Sequence, residues 1–434
     1  MTLTEAAFWT RRLSVVGSGA LVLIIILIVI ILNISKKDPL PNYLQPNFTC
    51  TLTKDEMQAQ KLQIPSLQLA SGSNQVYEID TPTGKLEKLP LIANVYKFNN
   101  PGALLNAQEE ARKVSEKLSL EPEAIERRGT IEYHWNEDIY GRTLTVDANT
   151  LNFHFQTNFR NANALPETKK LPTENEAKTI ATGFLRANGW LLEDYSKEEP
   201  LVTPINIEAN GSYTMATSRA QADLLRVDYF RSRPFLSVRG DIEKADEIKK
   251  ALEEEYLDYN NTVDSIVTDS GRVDVYNFNA EVLNLDTQKS NLSVYVGSED
   301  SRKKINSEIA SIYEIDYTPW IIADEPCGTY PLVSATELTT IIEKGNGSLV
   351  YLNEKNGDTV VSYQPRQVSQ FSVKQVRLAY LDTLLEQRFL QPIYVVSGEA
   401  TFSNGTTGTF YYYIPAIDYN NIQDPVVQET QTTP

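Results

Sequence analysis

The sequence predicts an α+β protein, with an N-terminal transmembrane helix followed by repeated modules of a short capped helix packed on antiparallel β-sheet. Three observations predict it. A long uncharged aliphatic run lies near the N-terminus, helix-capping signatures recur before short amphipathic stretches, and alternating strands flank turn residues through the rest of the chain. With 434 residues the chain exceeds one typical domain.

The apolar run spans residues 13–34, entering at Leu13, wholly aliphatic from Ala20 through Ile26 to Leu32, and ending at Ile34. At about 1.5 Å rise per residue it makes a helix of roughly 33 Å, enough to cross a bilayer core. A cleaved signal peptide would be shorter and followed by small residues at a cleavage site, whereas here Asn33-Ile34-Ser35-Lys36-Lys37 follows. No Cys lies near the end of the run to support lipid attachment. The reading is an uncleaved signal-anchor in the lipid bilayer of the cell membrane. Arg11 and Arg12 before the span balance Lys36 and Lys37 after it, so the positive-inside count is tied. The acidic, Cys-poor body favours the N-terminus inside and the body outside. Six Asn-x-Ser/Thr sites after the span, at Asn47, Asn210, Asn260, Asn291, Asn346 and Asn404, fit export, although an Asn- and Thr-rich chain also produces them by chance.

Residues 1–12 read as a short cytoplasmic N-terminus, 35–75 as a stalk or linker, and 419–434 as a frayed tail. Between them three α+β modules are expected, at 76–168, 169–318 and 319–418. Thr173 and Glu176 form a capping box for a helix that buries Ala177, Ile180, Ala181, Phe184 and Leu185 and stops at Gly189. Ser334 and Glu337 repeat the signature, with Gly345 as the stop. A weaker helix covers residues 106–120, and residues 243–256 form a charged one. The predicted hairpins join 142–146 to 151–156, 76–80 to 85–89, 349–353 to 359–363 across Asn356-Gly357, 394–402 to 409–415 across Asn404-Gly405, and 274–284 to 292–296.

Composition excludes several functions. A formal net charge of -17 argues against nucleic acid, whose phosphates require clustered Lys and Arg. With Glu5, Arg11 and Arg12 set aside, 38 basic and 56 acidic residues remain, so a net of -18 lies after the span. Two His and two Cys are too few for a zinc finger, an iron–sulfur cluster or a multi-histidine metal centre, and no cofactor or metal motif is read. His134 and His154 each sit between aromatic residues on a strand. No nucleophile motif accompanies either, so no catalytic residue is assigned and the chain is not expected to be an enzyme. Asp316-Tyr-Thr-Pro-Trp320 and Asp324-Glu325 are the acidic and aromatic stretches most suited to a cleft. Cys50 and Cys327 either pair as a disulfide or remain thiols. The 23 Tyr fit sheets with a packed ring and a wet hydroxyl.

The segment from Thr143 to Phe155 and the capped helix starting at Thr173 resemble the halves of a PepSY-type module. The C-terminal third is similar to YycH/YycI-type extracytoplasmic regulators of a two-component kinase. That similarity is carried by residues 330–338, Gly345-Asn-Gly347, Val376-Arg-Leu-Ala-Tyr380, Leu390-Gln-Pro-Ile-Tyr394 and Tyr413-Ile-Pro-Ala-Ile417. The resemblance covers about half of the body and implies a non-enzymatic extracytoplasmic regulator that binds a membrane partner or an envelope component. An envelope hydrolase using a carboxylate pair, or a surface adhesion or structural protein, is the alternative.

Overall fold

A computed structural model describes residues 46–422, except 51–53, 74–75, 87, 100–104, 130, 160–165, 167–168, 270, 300–308, 357–358, 362–364 and 384–386. The described residues belong to one compact unit. The predicted membrane span, with Leu13, Ala20, Ile26 and Ile34, lies outside the described residues. Among those residues no helix is long and apolar enough to cross a membrane.

Helix α1 is Lys54–Ala59, followed by strands β1 (Tyr77–Ile79) and β2 (Ile92–Lys97) and helix α2 (Ala107–Lys117). Strands β3 (Glu126–Arg128), β4 (Glu132–Glu137), β5 (Arg142–Asp147) and β6 (Phe153–Thr157) precede α3 (Glu174–Ala187) and a 3-10 turn at Glu193–Ser196. Then come β7 (Leu201–Ile207), β8 (Tyr213–Met215), β9 (Leu224–Asp228), β10 (Arg231–Arg239) and α4 (Ala245–Glu255). The chain continues through β11 (Asn260–Thr268), β12 (Gly271–Leu283), β13 (Leu292–Val296), β14 (Ile312–Tyr317) and β15 (Gly328–Pro331) to α5 (Ala335–Glu343). It finishes with β16 (Ser348–Leu352), β17 (Glu354–Asn356), β18 (Thr359–Val361), β19 (Val368–Leu381), β20 (Phe389–Phe402) and β21 (Thr407–Pro415).

This architecture overturns the predicted α+β class with repeated helix-on-sheet modules. Among the described residues strand accounts for 41% and helix for 17%, and the strands join into two large sheets. The first sheet has nine strands in the order β3-β4-β5-β6-β14-β13-β9-β7-β8, and every pairing in it is antiparallel. The second has twelve strands along the path β10-β12-β19-β20-β21-β17-β18, with β1, β2, β11, β15 and β16 beside it. The chain leaves the first sheet after β9, builds β10 to β12 in the second, and returns to insert β13 and β14. Neighbouring hairpins in sequence are therefore divided between sheets, because strands pair wherever their apolar faces meet a common core.

Three predicted hairpins do not form as expected. Residues 274–284 and 292–296 do not pair, since β12 belongs to the twelve-stranded sheet and β13 lies between β9 and β14. Strand β1 runs parallel to β19, and the described part of 85–89 forms no strand, although Thr81–Gly84 closes a turn through the Gly84 N–H to the Thr81 carbonyl at 2.9 Å. At Asn356-Gly357 the flanking pair is β17 with β18, while β16 pairs with β21. The β5–β6 and β20–β21 hairpins form as expected.

The helices begin where the sequence signals them. In α3 the Thr173 hydroxyl accepts from the Glu176 N–H at 3.3 Å, and the Glu176 carboxylate accepts from the Thr173 N–H at 2.7 Å, a complete capping box. Ser334 accepts from the Glu337 N–H at the start of α5. Helices α2 and α3 cover one face of the nine-stranded sheet. Ala111, Val114, Ala181, Phe184 and Leu185 enclose Leu144, Val146, Phe153 and Phe155 in one core, each large side chain adding roughly 1.5–3 kcal/mol by burial. The opposite face of that sheet carries the polar residues.

Residues 46–50 and 54–73 pack on the body. The Leu67 N–H donates to the Leu349 carbonyl and the Gln391 amide to the Gln60 carbonyl, and Leu62 is buried. Cys50 and Cys327 are joined in a disulfide with Cα atoms 4.6 Å apart. Of the segment 419–434, Tyr419 and Ile422 are buried and residues 423–434 lie outside the described part.

Candidate functional site

Alternation along the strands of the nine-stranded sheet places polar side chains on the face away from α2 and α3. The register aligns six of them in one row, His134 on β4, Thr145 on β5, His154 on β6, Asp316 on β14, Ser293 on β13 and Asp228 on β9. Hydrogen bonds run along it. Thr145 Oγ1 and His134 Nδ1 are 3.0 Å apart, His154 Nδ1 and Asp316 Oδ1 are 2.6 Å apart, and Ser293 Oγ donates to Asp228 Oδ1 at 2.7 Å. A second row on the same face holds Gln156, Glu314, Tyr295 and Arg226.

The centre is His154, Asp316, Glu314, Lys289 and Tyr213. The Lys289 ammonium lies against Asp316, and the Tyr213 hydroxyl donates to Glu314. His154 Nε2 is 3.0 Å from the Gln156 carbonyl oxygen. Both imidazole nitrogens thus lie against oxygen atoms, an arrangement that the doubly protonated ring satisfies at both positions. Burial alone would pull its pKa down, but the Asp316 hydrogen bond and charge outweigh that and raise it to about 9. Burial likewise works to raise Asp316, yet His154 and Lys289 hold its carboxylate below the usual range. Glu314 is pushed up, first by burial and then by the charge of Asp316. Burial and the adjacent Glu314 also push the Tyr213 hydroxyl upward.

Among the described residues, His154, Glu314 and Asp316 offer three ligand atoms within 4.8 Å of one another. The chain's own cations already neutralise that set. The Lys289 ammonium sits on Asp316 and the imidazolium on its other oxygen, so a metal ion would have to displace one of them.

A pocket of about 690 Å³ opens at the edge of this cluster, within the size range of small-molecule sites, about 300–1,000 Å³. Gln156 and Tyr213 belong to both. Phe159, whose ring stacks on Tyr313 with centroids 5.6 Å apart, forms a wall, and the turn between β7 and β8 forms the rim. Lys169 pairs with Asp223 at 2.6 Å across the opening.

The structure joins two of the stretches singled out in the sequence, since His154 meets Asp316 across 162 positions. His134 lies two strands away in the same row, bonded to Thr145 and Glu132. Asp324 and Glu325 are exposed and are not part of the cluster, while Trp320 meets Phe98 at its ring edge. Sequence reasoning missed Glu314, Lys289 and Tyr213. Glu314 was findable, because it lies two residues from Asp316 on a strand and so shares its face. Lys289 in a loop and Tyr213 in a distant hairpin left no local signal.

No family model and no curated protein matches the chain. A crystal structure of an uncharacterized protein from Eubacterium rectale is similar to it at 10% identity, covering 82% of this chain and 92% of that one, with a TM-score of 0.36.

Proposed function

We propose that the chain is a single-pass membrane-anchored protein whose extracytoplasmic body binds a protein or envelope component without transforming it, and regulates a membrane partner. The observation that carries this reading is the closed charge network at His154. A histidine with both nitrogens engaged and a pKa raised to about 9 is protonated at neutral pH and cannot act as a general base there. The Cys50–Cys327 disulfide favours an oxidising compartment. The apolar run at residues 13–34 supports the anchor, and the YycH/YycI-type likeness of the C-terminal third fits the same role. The acidic balance opposes nucleic acid as a partner.

One observation favours the hydrolase alternative. Glu314 is raised and Asp316 lowered, the division of an acid from an ionised carboxylate. Co-purification of the full chain from detergent-solubilised membranes tests the binding reading. Stoichiometric recovery of a membrane or envelope component supports it. Recovery of the chain alone, with turnover of envelope polysaccharide that Glu314→Gln abolishes, replaces it with the hydrolase.

A further inference from the structure

We infer that the pocket between β6 and the β7–β8 turn is a binding site for a neutral oligosaccharide, with Phe159 as the ring platform and Gln156 as a hydrogen-bond donor. The inference deepens the binding role proposed above and rests on it.

The chemistry of the walls selects the class. Phe159 is partly exposed and lines the pocket, and its position is held by stacking on Tyr313, which is itself buried. An aromatic ring fixed in this way offers a flat apolar surface to the C–H face of a sugar ring. Gln156 supplies the complementary polarity. The Gln156 carbonyl oxygen lies 3.0 Å from His154 Nε2, an orientation that the protonated ring favours. The NH2 group is then turned away from His154, on the residue that lines the pocket, where it can meet a sugar hydroxyl. The cationic histidine thus orients a donor in the neighbouring pocket.

Charge removes the competing ligand classes. Among the described residues the ionised side chains at the pocket are Lys169, Asp223 and Glu208, and Lys169 is already paired with Asp223. Glu208 remains as a net negative charge, its carboxylate accepting from the Thr214 hydroxyl at 2.8 Å. A phosphate- or carboxylate-rich polymer would enter against this charge and against the formal -17 of the chain. The described lining mixes apolar side chains, Phe159, Pro166, Ile207 and Leu224 among them, with amides, hydroxyls and backbone at the rim. A hydroxyl-rich, uncharged ring satisfies both the aromatic wall and the polar rim.

Isothermal titration of the full chain in an amine-oxide detergent, which has no sugar headgroup to compete, tests the site. The probes are cellotetraose and chitotetraose as neutral saccharides and tetragalacturonate as the anionic counterpart. Binding of either neutral probe, weakened about 3- to 10-fold by Phe159→Ala and by Gln156→Ala at unchanged thermal stability, supports the site. Weaker binding of tetragalacturonate supports the charge selection. Absence of neutral binding, or equal affinity in wild type and both variants, overturns it. Mass spectrometry of the recovered saccharide separates this inference from the reading beneath it. Cleaved probe that still depends on Phe159 keeps the pocket and removes the non-enzymatic role.

Discussion

His154 concentrates the chemistry of the polar face, because it is the point where a strand register, a buried carboxylate and a pocket side chain meet. Its environment raises its pKa from 6.5 to about 9. A base raised in the folded state adds stability that is fully present below its unfolded pKa and is lost as pH climbs through the folded value. The imidazole side chain is 38% exposed, so solvent screening holds the contribution to about 1 kcal/mol. Thermal melts should therefore show Tm falling between about pH 6.5 and 9, and His154→Gln should flatten that stretch of the profile. A slope unchanged in the variant would mean that another group carries the titration. The same substitution removes the donor that orients Gln156, so its effect on saccharide affinity should accompany its effect on the melt.

At the scale of elements, the capped helix starts and the β5–β6 and β20–β21 hairpins were legible in the sequence because their causes are local. The Asp147 carboxylate accepts from the Asn149 and Thr150 N–H groups at 2.9 and 2.8 Å, which makes the β5–β6 turn a property of four adjacent residues. The α3 capping box is equally local. Thr173→Ala should lower stability by about 1 kcal/mol, whereas Thr173→Ser should retain most of it, as read from chemical denaturation midpoints. Equal midpoints for the two variants would show that packing of Phe184 and Leu185, rather than the cap, sets the helix start. What sequence did not disclose was the partner of each strand. Strands β9, β13 and β14 are apolar enough to fit either sheet, and their choice depends on a core assembled from residues more than a hundred positions apart. The His154–Asp316 contact is the consequence, since it exists only because β14 pairs with β6. Close backbone approach was hidden in the same way. A Cβ at Gly398 would lie 1.9 Å from the Ser372 carbonyl oxygen, beside the bulge where β20 meets β19.

Across the whole molecule, buried polar links tie segments that the chain order separates. Arg231 donates to Asp194 beside the nine-stranded sheet and to Asp382 at the end of β19, and it lies over the Tyr195 ring at 4.8 Å. The Cys50–Cys327 disulfide plays the covalent counterpart, closing a separation of 277 residues and fixing residues 46–50 against β15. In the chain-entropy account a loop of that length restricts the unfolded chain by about 5.6 kcal/mol. The segment it holds also has non-covalent anchors, including the Ser348 hydroxyl donating to the Ile64 carbonyl at 2.7 Å and the burial of Met57. Removing the bridge should therefore weaken the fold without abolishing it. The double variant Cys50→Ser and Cys327→Ser should unfold at lower denaturant, with a loss below the chain-entropy figure, and reducing agent should shift the wild type to the same midpoint. A wild-type midpoint indifferent to reductant would mean that the sulfurs are not bonded in solution. A wild type that shifts with reductant beside a variant that does not would place the stabilisation in the bond itself.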